Sequence, residues 1–158
     1  MREIIFRGQT RRYGQAVLMN GDKLPGNWVY GGIFPGTGDY SVIYGSKEET
    51  MTGPAIEKHT VYSDTVGQYT GVLDNNGVKI FEGDIVSWRR YLCIGPGVYV
   101  PGVEERFVVG FRYGYFLALD DYTDEKTGGQ ALVPCGDIEI KVIGNIHDNP
   151  ELLKGGSI

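Results

Sequence analysis

Asn76-Gly77, set between two β-prone runs, is the feature that most constrains what this chain can fold into. Residues 68–88 read QYTGVLDNNGVKIFEGDIVSW. Asn and Gly reach positive φ at little steric cost, so the pair predicts a hairpin turn between 68–72 and 78–81. Gly83-Asp84 then predicts a tight corner: Gly tolerates the unusual φ, and the Asp carboxylate can bond nearby backbone. Ile85-Val86-Ser87-Trp88 resumes an extended chain. A hairpin, a corner and a third strand in so few residues point to a sheet that bends sharply, as in small SH3-like barrels. That comparison concerns architecture and carries no activity.

The same chemistry recurs along the chain. There are 25 glycines in 158 residues, more than double the usual share of ~7%, together with 11 Tyr, 6 Phe and 2 Trp. This is a vocabulary of turns and strands rather than helices. Strand patterns are expected at 4–7, 14–19, 28–30, 40–44, 56–62, 85–92, 105–111, 115–119 and 131–134. Tyr40, Val42 and Tyr44 should share one face, with Ser41 and Ile43 on the other. Ile138, Ile140 and Val142 alternate with Glu139 and Lys141 as in a half-buried strand. Residues 31–38 read as a glycine-rich loop, 95–102 as a surface loop and 120–129 as an acidic loop. Asn149-Pro150-Glu151 predicts a capped C-terminal helix of one to two turns.

The expectation is therefore a mostly β, antiparallel protein. Its C-terminal part is SH3-like or barrel-like, its N-terminal part is elaborated by β-hairpins, and one short helix closes it. The chain reads as a single domain over 1–158. A subdivision is drawn between 1–65, the N-terminal strand plus a hairpin arm, and 66–158, the barrel-like part.

Three segments together resemble the YopX family of phage and prophage proteins: MREIIFRG at 1–8, QYTGVLDNNGVKIFEGDIV at 68–86, and VIGNIHDNPELL at 142–153. Residues 10–65 lie outside that resemblance. The resemblance implies a mostly β fold of barrel-like character, a phage or prophage setting, and no assigned activity. It brings no catalytic or ligand-binding residues.

Candidate chemistry was weighed residue by residue. Cys93 with His59 or His147 is arithmetically conceivable as a nucleophile and base, but cysteine is among the most buried residue types and reads more simply as a structural thiol. Two His and two Cys are too few and too scattered for a zinc pattern. Asp120, Asp121, Asp124 and Glu125 lack the fixed offsets of a calcium loop. His147 beside Asp148 reads as a structural hydrogen-bonding pair, and no cofactor is expected. Arg2, Arg7, Arg11 and Arg12 read as a solvated surface. The remaining lead is aromatic: Trp88, Tyr91, Tyr99, Tyr113 and Tyr115 are candidate interaction residues on or beside the barrel strands, with burial in the core as the simpler alternative.

The net charge of −5 and pI of about 5.0 disfavour a general nucleic-acid binder. No apolar run is long enough to span a membrane, and no secretory leader is evident, so a bacterial cytoplasmic location with reduced thiols is expected. The function expected is non-enzymatic protein contact, with itself as a homo-oligomer or with another phage or host protein. The alternatives are a nucleic-acid-binding barrel and, last, a small hydrolase or metal enzyme.

Overall fold

The structure is a computed structural model. It describes residues 3–10, 27–50, 53–119, 129–132 and 137–153, with backbone alone for 46–50 and 53–55. The expectations for a strand at 14–19, the acidic residues 120–125, Cys135, and Arg2, Arg11 and Arg12 lie outside the described residues. The chain divides into two units, Met1–Tyr69 and Thr70–Ile158.

In the first unit, β1 (Phe6–Gln9), β2 (Trp28–Phe34), β3 (Tyr40–Thr50) and β4 (Gly53–Tyr62) are antiparallel neighbours in the order β4-β3-β2-β1. The start of β5 (Gly67–Leu73) pairs with the other edge of β1, Phe6 opposite Gln68. The sheet curls far enough for Thr10 to bridge Val61 of β4. That curl requires a close approach at Gly8. A Cβ there would sit 2.9 Å from Val61 Cγ2 and 3.2 Å from Ile43 Cδ1. Ile43 and Val61 are fully buried, and Ser41 shares their side. Tyr40, Val42 and Tyr44 turn the other way and stay half-buried or exposed, as the alternation predicts.

Two boundaries in this unit differ from the sequence reading. Residues 31–34 are strand rather than loop, because Gly32, Ile33 and Phe34 pair with Tyr44, Ile43 and Val42. The polar stretch from 48 continues β3 and β4, which pair as far as Thr50 opposite Gly53. A 3-10 turn, Ser63–Thr65, follows β4. It is tied down by Thr65 Oγ1, which donates to the Tyr62 carbonyl at 2.8 Å and accepts the Gln9 N–H at 2.9 Å.

In the second unit β5 runs on, followed by β6 (Lys79–Phe81), β7 (Asp84–Gly95), β8 (Val98–Arg112), β9 (Tyr115–Leu119), β10 (Gly129–Ala131) and β11 (Ile138–Asn145). The last five form one antiparallel sheet in the order β10-β9-β8-β7-β11. Its core face carries Val86, Trp88, Phe107, Val109, Ala118 and Ile140, closed by Ile80 and Leu132. Ile140 is completely buried while Glu139 and Lys141 flank it on the opposite face, so the half-buried pattern is as read. The C-terminal helix is short, as expected, and Pro150–Leu153 is 3-10 rather than α.

The stretch 68–88 behaves as its residue types require. Gly77 and Gly83 have φ of 80° and 82°, the conformation that glycine takes without penalty. The Asp84 carboxylate accepts the Phe81 N–H at 2.7 Å and locks the corner. Asp74, almost fully buried, accepts the N–H groups of Asn76 (2.8 Å) and Val78 (2.9 Å) through one oxygen and that of Val142 (3.1 Å) through the other. Asn75 exchanges two bonds with Ile140: its N–H donates to the Ile140 carbonyl at 3.0 Å, and its side-chain oxygen accepts the Ile140 N–H at 2.7 Å. The turn thereby acts as an extra rung on β11, satisfying backbone groups that would otherwise be left open.

Candidate functional site

β7 and β8 pair along their length, from Ile85 opposite Val108 to Gly95 opposite Val98. Their outer neighbours stop earlier. β11 reaches only Ile138 opposite Arg90, with a final bond from the Tyr91 N–H to the Asp137 carbonyl at 2.7 Å. β9 covers β8 only from Val108 to Arg112. Residues 91–103 therefore form a two-stranded ribbon, turned at Pro96-Gly97, where the sequence reading placed a surface loop. Among the described residues, no strand lies along either outer edge of this ribbon.

The ribbon's composition is unusual for an exposed segment. Residues 91–103 read YLCIGPGVYVPGV, thirteen residues without a charge. Strand alternation carries the core face outward along β7: Val86 and Trp88 are buried, Arg90 marks the rim, and Leu92 continues on the same side, before a register shift between Cys93 and Gly95 leaves Ile94 as the extra residue of a bulge. Leu92 is opposite Val100, and Gly95 opposite Val98. Leu92, Ile94 and Val98 are 51%, 66% and 50% exposed. The other face carries Cys93 opposite Tyr99, and Tyr91 opposite Pro101.

Near the base of the ribbon, this second face changes from apolar to charged. Ser87 Oγ donates to Glu104 at 2.7 Å, and Arg89 bonds the other Glu104 oxygen. Lys141 Nζ lies 2.6 Å from Glu139, and the Tyr91 hydroxyl donates to Glu139 at 3.4 Å. The Ser87 hydrogen bond, then the charges of Arg89 and Arg106, hold the Glu104 carboxyl below its ordinary range. The Lys141 hydrogen bond and charge do the same for Glu139, and Glu139 in turn raises Lys141. The cluster is internally neutralised, so it marks the boundary of the apolar ribbon rather than a reactive centre.

The five aromatic candidates do not converge. Trp88 is a correction: it is 3% exposed and packs edge-to-face on Phe107 with ring centroids 5.8 Å apart, so it is a core residue unavailable to a partner. Tyr91 is half-buried at the ribbon's base, and Tyr99 is exposed on it. Tyr113 and Tyr115 are exposed at the β8–β9 turn, the far end of β8. At the ~3.3 Å rise of an extended strand they lie up to roughly 40 Å from Tyr99. Tyr113 holds φ of 53° beside Gly114 at 88°.

Two other expectations, on Cys93 and Arg7, are revised. Cys93 is exposed, because it sits on the ribbon beyond the covering strands, and its thiol donates to the Gly95 carbonyl at 3.2 Å. Arg7 is not a solvated arginine: it is buried with its guanidinium 4.7 Å from the Trp28 ring centre. His147 belongs to a structural turn in which the Asn145 side-chain oxygen accepts the N–H groups of His147 (3.0 Å) and Asp148 (2.9 Å). Among the described residues, no three His, Cys, Asp or Glu side chains are grouped to hold a metal, and no helix is long and apolar enough to cross a membrane. The ribbon itself was missed in the sequence; its signal was the absence of charge over 91–103.

Among solved structures, the chain is similar to the crystal structure of protein EF1440 from Enterococcus faecalis, at 23% identity over 97% of this chain and 99% of that one, with a TM-score of 0.48. No curated protein matches it. The family model described as YopX protein matches residues 33–154, which includes much of the segment that the sequence resemblance left out and excludes its N-terminal one. The protein is therefore a member of the YopX family.

Proposed function

We propose that this protein is a non-enzymatic phage or prophage accessory protein that works by protein–protein contact in the bacterial cytoplasm, through the β7–β8 ribbon. The observation that carries the reading is the ribbon's uncharged sequence, exposed on both faces and with no strand along either outer edge among the described residues. Water is a poor solvent for such a segment. A two-stranded ribbon alone is marginal, and edge backbone groups seek pairing. The occupant is either a further copy of the chain or another phage or host protein. Nucleic-acid binding finds less support, since Trp88 and Arg7 are buried and the exposed candidates Tyr99, Tyr113 and Tyr115 are split between the two ends of β8.

A photo-crosslinking phenylalanine analogue at Val98 tests the reading in bacterial cells. The expected result is a protein adduct that is lost when Ile94→Lys is introduced. No protein adduct from Val98 or Ile94, or an adduct with nucleic acid in its place, refutes it.

A further inference from the structure

Resting on the reading above, we propose that the occupant of the ribbon is a second copy of this chain, the two ribbons packing by their Leu92, Val98 and Val100 faces about a two-fold axis. Three observations favour that occupant.

The first is electrostatic. The chain carries a net charge of −5, yet none of that charge lies between residues 91 and 103. A second copy brings the same uncharged face, so neither partner strands a charge in the contact, and the acidic remainder of each copy stays in water. A partner with a charged docking surface would have to desolvate that charge against aliphatic side chains.

The second is continuity. Leu92 lies on the side of β7 that holds Val86 and Trp88 in the core. Packing a second ribbon there extends an existing apolar layer, as sheets stack face to face at ~10 Å. The charged cluster of Arg89, Glu104, Glu139 and Lys141 lies on the opposite side and is left in solvent.

The third is area. Half-exposed aliphatic side chains and the turn that they flank offer on the order of 400 Å² per copy, so a pair buries about 800 Å². This is the size of a weak or transient contact, and dissociation constants on the order of 10⁻⁵ to 10⁻⁴ M follow. A lipid bilayer is the poorer occupant, because the ribbon edges along which no strand lies among the described residues would leave backbone N–H and C=O groups unpaired in hydrocarbon.

Analytical ultracentrifugation of the purified protein across that concentration range tests the inference. The expected mass rises with concentration towards twice that of one chain. Leu92→Lys and Val98→Lys, on the proposed contact face, each weaken association by at least ~30-fold. Cys93→Lys and Tyr99→Lys, on the other face, leave it within ~3-fold. Association is unchanged by added salt, since no exposed charge pair closes the contact. All four sites are solvent-exposed, and an unchanged circular dichroism spectrum confirms that each variant is folded. A single-chain mass throughout overturns the inference. So does association that survives Leu92→Lys and Val98→Lys, association lost equally in all four variants, association that salt weakens, or binding of single chains to phosphatidylcholine vesicles. A single-chain mass combined with a crosslink from Val98 to a different protein overturns the two-copy inference and leaves the protein-contact reading standing.

Discussion

Replacing Asp74 should cost this protein more stability than any substitution on the exposed part of its turn, and the size follows from three hydrogen bonds. One carboxylate oxygen accepts the Asn76 and Val78 N–H groups, and the other accepts that of Val142 on β11. Bonds to a charged acceptor are worth roughly 1.5–3 kcal/mol each net, and in a shared group they do not add in full. Asp74→Ala removes all three at a nearly buried position, and a loss of about 4 kcal/mol is expected. Asp74→Asn is the sharper probe. Its amide oxygen can keep the two bonds inside the turn, but its NH₂ must then face the Val142 N–H, donor against donor. A loss of about 2 kcal/mol is expected, comparable to one unsatisfied buried donor. Urea denaturation measures the loss, and amide exchange locates it: the Val142 amide should lose protection in both variants, ahead of the Val86 amide. An Asp74→Asn variant within ~0.5 kcal/mol of wild type, with Val142 still protected, would refute the account.

Two further outcomes follow from geometry and charge. Gly8→Ala forces a Cβ to within 2.9 Å of Val61 and 3.2 Å of Ile43, and overpacking of about 1–3 kcal/mol should appear as a lower urea midpoint; an unchanged midpoint would show that the curl at Thr10–Val61 relaxes freely. The Glu104 and Glu139 carboxyls titrate below their unfolded values in the folded protein, so their contribution is fully present above the ordinary carboxylate range and is lost as pH falls through the folded values. Midpoints measured against pH should therefore fall on acidification, and Glu104→Gln should flatten that acid limb while leaving the alkaline limb, where Lys141 loses its proton, unchanged.

Much of the local structure was legible because it depends on residues a few positions apart. Asn76-Gly77 and Gly83-Asp84 are turn and corner because only certain side chains permit those φ values or bond the adjacent backbone. The faces of 40–44 and 138–142 follow from the period of two. The reading failed where pairing partners decided the outcome. Residues 31–34 look like a glycine loop until β3 is laid beside them.

Asp74 and Asn75 show the same division within one motif. Their place in a turn is a local property of the sequence. Their bonds to Val142 and Ile140, 68 and 65 residues away, exist only once β11 is in position. The apolar stripe of β7 is the plainest case. Val86, Trp88 and Leu92 have the same chemistry and the same alternation, and nothing local separates the first two from the third. The sequence alone determined that all three share one side of a strand. Only the tertiary structure decided that two became core and one a solvent-facing surface, because among the described residues β11 and β9 pair only with the inner parts of β7 and β8.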